Sequence, residues 1–213
     1  MKLRLLLVVL LTSTLLLVTP AVATTITFAS DLFSEGNNFG ANQCVAPVGA
    51  WATLPAGTCW VSFSNTGQGG WSPPNTTING VPTAVFTETV VLPYGDNSGY
   101  FQGWADDTMS VYIVNALHPG GLLLHAANNV WSSHCVGQPI GCVDGMDWVG
   151  ALDNTILAQG VNTFLMPTYQ LWGDGFAVAY RGEVNSVPEP LSAFMIGGGL
   201  LALGFCGRRK TTA

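Results

Sequence analysis

The sequence predicts an all-β fold, an antiparallel β-sandwich, on three observations. Between residues 24 and 186, short alternating apolar stretches are separated by turn-forming residues at intervals of roughly eight to twelve positions, as in strands that bury one face. The same span is rich in Gly, Thr, Asn and aromatic residues and poor in Lys, Glu and Arg. That composition suits a pleated, half-buried surface better than a helical one. No internal repeat of useful length appears, which argues against a propeller or solenoid.

The ends of the chain are of a different kind. Lys2 and Arg4 form a short basic region, and Leu5 to Val18 is apolar apart from Thr12, Ser13 and Thr14. Pro20 breaks the run, and Ala21-Val22-Ala23 supplies the small-x-small pattern for cleavage after Ala23. Residues 1–23 therefore read as a signal peptide for the Sec export machinery. The folded body is then 24–186, the size of one domain. Of the six Lys and Arg residues only Arg181 lies in that body, whereas eleven of the twelve acids do, so its charge is near −10. Such a body repels phosphate backbones, which excludes nucleic acid as a partner, and it tolerates divalent cations.

Taken in order, Thr25 to Ala29 reads as a brief strand and Asp31 to Ala50 as loop. Thr58 to Ser64 alternates, with Cys59, Val61 and Phe63 on one face and Trp60 and Ser62 on the other. Asn65 to Gly80 is a long turn-rich loop whose largest apolar side chain is Trp71. Thr83 to Leu92 is the cleanest strand, with Ala84, Phe86, Val90 and Leu92 sharing a face. After a turn at Pro93 to Gly99, strands are expected at Tyr100 to Ala105, Met109 to Val114 and Leu122 to His125. Asn154 to Gln159 suggests one or two helical turns, capped by Asp153 or Asn154 and stopped by Gly160. Thr163 to Met166 and Gly175 to Glu183 complete the set.

Cys44, Cys59, Cys135 and Cys142 lie in the body, and four cysteines permit three pairings. Local closure, Cys44–Cys59 and Cys135–Cys142, is preferred, since each encloses a loop rich in Pro and Gly. A metal site built from His134, Cys135, Cys142 and Asp144 or Asp147 is the alternative, but the closer cysteine spacing usual for zinc is absent.

The run Gly103-Trp104-Ala105-Asp106-Asp107-Thr108-Met109-Ser110-Val111-Tyr112-Ile113 and the later Leu157-Ala158-Gln159-Gly160-Val161-Asn162-Thr163-Phe164 resemble the galactose-binding-domain-like jelly roll. That family places an Ala-Asp-Asp corner before a central strand and a Leu-x-x-Gly-x-Asn turn before another. The resemblance covers residues 83–183 and implies a jelly-roll-like sandwich. It departs at Asn115, which is followed by Ala116 instead of Gly, and at the inserted segment 118–148.

Candidate chemistry is sparse. Asp106 and Asp107, with Asp96 or Asn97, offer hard oxygen ligands to calcium. The favoured reading is a structural corner in which an Asp side chain satisfies backbone N–H groups. Beyond calcium no cofactor is expected. Glu88, Asp144, Asp147, Asp174 and Glu183 include no pair that sequence can place across a cleft for glycoside hydrolysis. There is no Gly-x-Ser-x-Gly elbow or His-Glu-x-x-His helix, and the expectation is a protein without catalysis. Trp71, Trp104, Trp131, Trp148 and Trp172 are the stronger lead, because sugar rings stack on aromatic faces. Trp104 is expected in the core, and Trp71 and Trp131 are the candidates for ligand binding.

At the far end, Val187-Pro188-Glu189-Pro190 leads into an uncharged run, Leu191 to Cys206, followed by Gly207 and Arg208-Arg209-Lys210. As a helix that run would span about 24 Å, a little short of a bilayer's hydrocarbon core. The basic cluster would stay cytoplasmic. The three parts together resemble the PEP-CTERM sorting signal, with Pro188, Glu189, Pro190, Arg208 and Arg209 carrying the resemblance. It implies handling of residues 187–213 by a membrane transpeptidase of the exosortase family. The expected protein is thus exported across the inner membrane to the cell envelope, cell surface or extracellular matrix. There it associates with extracellular polysaccharide. The alternatives are a structural matrix protein with no discrete ligand site and, less favoured, a carbohydrate-active enzyme.

Overall fold

Apolar alternation dictates the clearest strands, and the computed structural model gathers them into two main antiparallel sheets. It describes residues 22–31, 36–132, 135–136, 140–173 and 175–188, without the side chains of 131, 132, 135 and 136. The sorting-motif residues Glu189, Pro190, Arg208 and Arg209 lie outside the described residues, as do Ala21 and the side chain of Trp131. Within the unit Thr24–Val187 the strands are β1 (Thr24–Ala29), β2 (Gln43–Cys44), β3 (Val61–Ser62), β4 (Ala84–Leu92) and β5 (Asp96–Asp106). They continue as β6 (Thr108–Met109), β7 (Val111–Asn115), β8 (Leu122–His125), β9 (Trp131–Ser132) and β10 (Cys135–Val136). The last three are β11 (Trp148–Leu152), β12 (Gly160–Tyr169) and β13 (Ala177–Val187).

One sheet runs β11-β5-β13-β3-β2, with β1 also paired to β13; the other runs β4-β12-β7-β8, with β6 paired to β12. A small β9–β10 hairpin stands apart. The chain crosses between the sheets from β3 to β4, β4 to β5, β5 to β6, β11 to β12 and β12 to β13, and returns from β8 to β11 by way of β9 and β10, so the two inner faces share one core. Phe28 and Phe101 of the first sheet meet Phe164 of the second, with ring centroids 5.4 and 5.1 Å away. The fold is an all-β antiparallel sandwich.

On β4 the expected face is the buried one: Ala84, Phe86, Val90 and Leu92 point in, while Val91 is exposed. β13 departs from simple alternation because both of its faces are covered near its start. Phe176, Val178 and Tyr180 enter the main core, whereas Ala177 and Ala179 lie under a second cluster with Val45, Trp51, Ala52, Trp60 and Trp104. The loop between β2 and β3 folds over that outer face. The stretch expected as a strand from Thr58 to Ser64 shortens to Val61–Ser62; just ahead of it the Cys59 N–H donates to the Ser30 carbonyl at 2.8 Å instead of to a ladder.

Three more differences have local causes. Asp96 to Gly99, expected as turn, forms the start of β5, because Asp96, Asn97, Ser98 and Gly99 pair in register with Val187, Ser186, Asn185 and Val184. Met109 to Val114 splits at Ser110, whose N–H donates to the Pro167 carbonyl at 2.9 Å. Residues 154–159 form a single turn, not a helix. Asp153 caps it as expected, its Oδ1 accepting from the Thr155 hydroxyl (2.6 Å) and N–H (2.8 Å). These bonds hold the Asp153 carboxyl below its usual range. Gly160, at φ +89°, ends the turn.

Cys44 and Cys59 form a disulfide across 15 residues, with Cα atoms 5.7 Å apart. A loop of that length restricts the unfolded chain by about 3 kcal/mol. Cys142 is also disulfide-bonded, which removes it from any metal site; its partner lies outside the described side chains.

Candidate functional site

Trp71 sits on a loop that the sequence folds tightly. The Trp71 N–H donates to the Asn65 carbonyl at 2.9 Å, the Gly70 N–H to Gly67 and the Gln68 N–H to Ala46. A Cβ at Gly70 would lie 2.2 Å from the Asn65 carbonyl oxygen, so the turn requires glycine there. The loop is fastened to the sandwich through Thr66, whose hydroxyl donates to the Phe176 carbonyl and whose own carbonyl accepts the Phe176 N–H.

Trp71 is 53% exposed and Phe39 63% exposed. Phe63 links them: its ring lies 4.8 Å from Phe39, 6.1 Å from Trp71 in an edge-on arrangement, and 5.6 Å from buried Phe176. The three rings make an aromatic ledge rooted in the core. Asn38, Asn65 and Gln68, each within three residues of one of these rings along the chain, are exposed. Phe39 and Phe63 were not singled out by the sequence, because Phe39 lies in a loop and Phe63 at an apparent strand end. Only the tertiary contact reveals them.

A second loop joins the first. Trp172, 58% exposed, follows Leu171, and Asp107 Oδ2 accepts both of their N–H groups at 2.6 Å. Ser72 Oγ donates to the Gly173 carbonyl at 2.7 Å. Asp107 thereby fixes the Trp172 loop beside the Trp71 loop. Burial pushes the Asp107 carboxyl up from its ordinary range, while the N–H groups and the Asp106 side chain pull it back. Asp106 Oδ2 accepts the Trp51 indole N–H at 2.6 Å. The pair behaves as the structural corner the sequence suggested. Asp96 and Asn97, the suggested calcium partners, sit at the opposite end of β5, about 33 Å away along an extended strand. Among the described residues no group of three His, Cys, Asp or Glu side chains is placed to hold a metal.

The other candidates are dispersed. Trp104 is buried in the second cluster, and Trp148 packs against Phe101 and His125. Asp144 accepts the Thr53 N–H, and Asp147 accepts from Gln102. Glu88 and Glu183 line one groove. Asp174 and His134 lie outside the described residues.

His125 carries a testable consequence. Its Nε2 is buried without a hydrogen-bond partner among the described residues, and burial lowers its pKa. A base whose folded pKa is lowered favours its neutral form. Its contribution is complete above the unfolded value of about 6.5 and is lost as pH falls through and below it. Melting temperature should therefore drop between about pH 7 and pH 5, and His125→Phe should flatten that slope in thermal unfolding curves.

No family model and no curated protein matches the chain. Among solved structures it is similar to an isomalto-dextranase of Arthrobacter globiformis T6 complexed with panose, at 15% identity and a TM-score of 0.25. The match covers 78% of this chain and 33% of that one, so the chain spans about a third of that structure's length.

Proposed function

We propose that this chain is exported, sorted to the cell envelope and stationed there as a non-catalytic, jelly-roll-like sandwich that associates with extracellular polysaccharide. The observation that carries the binding part is the ledge of Phe39, Phe63 and Trp71, two of whose rings are more than half exposed. Aromatic faces exposed in a fixed arrangement suit the C–H faces of sugar rings, and the flanking amides suit their hydroxyls. The hydrogen-bonded loop holds Trp71 in place before any ligand arrives, so little ordering cost falls on binding. Exosortase and the Sec machinery are the partners that the terminal segments imply, with membrane contact through residues 191–206 before processing.

Binding to the surrounding cells' own polysaccharide, or to a glycan array, should be saturable. It should weaken at least tenfold, about 1.4 kcal/mol, in Trp71→Ala and in Phe39→Ala. Unchanged retention in both variants would leave the structural matrix reading in its place. The sorting part has its own measurement, the intact mass of the protein from cells with and without the exosortase. A C-terminus ending near Glu189 only when the enzyme is present supports sorting; an intact tail in both makes residues 191–206 a plain anchor.

A further inference from the structure

A groove of about 540 Å³ opens elsewhere on the sandwich, where β1 and β13 of one sheet meet the β4 edge of the other. Its size falls within the range of small-molecule sites, ~300–1,000 Å³. Strand register explains its lining. Arg181 stands opposite Ala29 and Gln102, and Glu183 opposite Thr27 and Tyr100, so all six share one face of the sheet. Glu88 arrives from β4 at a position whose alternation points inward, and its Oε2 accepts the Tyr180 hydroxyl at 2.8 Å. Asp31 and the segment Ala56–Thr58 close the end.

Arg181 is the sole Lys or Arg between residues 5 and 207, and it is held in a set orientation. Its Nε donates to Gln102 Oε1 at 2.6 Å, and Gln102 Nε2 donates in turn to Asp147 Oδ2 at 2.6 Å. The two terminal nitrogens form no hydrogen bond or ion pair with any described residue. A guanidinium braced through Nε with its outer fork open is a donor pair prepared for a ligand.

The surrounding charges narrow the ligand. Asp31, Glu88 and Glu183 repel an anion, and Arg181 disfavours a cation. A neutral group that both accepts and donates satisfies both sets. Adjacent hydroxyls do so, accepting from the guanidinium and donating to a carboxylate, with the Tyr100 ring available to a sugar face. We propose that this groove is a second binding site, separate from the aromatic ledge, which takes a neutral sugar unit through vicinal hydroxyls on Arg181 and Glu183.

The test is a titration of the full chain, held in a non-glycosidic detergent, followed by NMR at the Arg181 Nε–H and the Tyr100 ring. Glucose, galactose and mannose are the neutral probes; glucuronate, glucosamine and glycine are the anionic, cationic and zwitterionic ones. At least one neutral hexose should shift both signals saturably while leaving the Trp71 indole N–H in place. Its affinity should be insensitive to salt, and Arg181→Met should weaken it at least tenfold. Glu183→Gln serves the same purpose should Arg181→Met fail to fold. The proposal is overturned by no neutral probe shifting Arg181, by a charged or zwitterionic probe binding more tightly, or by undiminished binding in the folded variant. A shift at Trp71 alone would assign sugar binding to the ledge and not to the groove.

Discussion

Asn162→Ala should destabilise the sandwich by about 3 kcal/mol or more, since each buried polar group left without a partner costs about 1–3 kcal/mol. Asn162 has no solvent exposure. Its Oδ1 accepts the Ala158 N–H (2.9 Å) and Asn115 Nδ2 (2.8 Å), and its Nδ2 donates to the carbonyls of Ala158 (2.8 Å) and Gly160 (3.0 Å). Asn115 extends the network to the Ile156 carbonyl and to the N–H groups of Leu117 and His118. One amide thus satisfies the turn before β12 and the end of β7 together. Asn162→Asp separates hydrogen bonding from volume: it keeps the shape but loses the donor while ionised. Denaturant unfolding should show Asn162→Asp gaining stability relative to Asn162→Ala as pH falls and the acid regains a donor. Equal stability of Asn162→Ala and the parent would mean that water replaces the amide without loss.

Phe101→Ala should cost about 3–5 kcal/mol, the range for removing a buried aromatic ring from a core. In a domain of this size each kcal/mol lowers the melting temperature by about 2–4 °C. Phe101 is fully buried on β5, with ring centroids of Phe164 at 5.1 Å, Trp148 and Tyr180 each at 6.1 Å, and Phe28 at 6.2 Å. It therefore joins three strands of its own sheet to the opposing one. Calorimetry showing a loss below about 1 kcal/mol would mean that the neighbouring rings collapse into the space.

The sequence was most legible where one face is buried and the other wet. β4 is such a strand, and its buried set is the one its alternation indicates. The start of β13 was harder, because alanines on its outer face lie beneath tryptophans from a distant loop, and no local pattern records that cover. β11 was not expected: it begins at Trp148, where the inserted segment 118–148 ends, and its pairing with Gly99 to Gly103 is purely long-range. In the candidate site, Trp71 was visible as a large ring in a Gly-rich loop, whereas Phe39 and Phe63 join it only through folding. Glu88 did leave a trace in the sequence. It occupies a core-facing position on the cleanest strand, and a carboxylate there signals an edge or a groove.

β13 also has a mechanical meaning. It ends at Val187, directly ahead of Pro188, and it begins beside Phe176, against which Phe63 of the ledge packs. With the tail as tether and the ledge as grip, tension would enter and leave through the two ends of one strand. That strand already rises about 3.3 Å per residue, close to the limit of a fully extended chain. It has almost no slack to give. Force from the ledge would reach that strand through the Phe63–Phe176 ring contact and the Thr66–Phe176 hydrogen bonds, and would then run along it through the middle of the sheet.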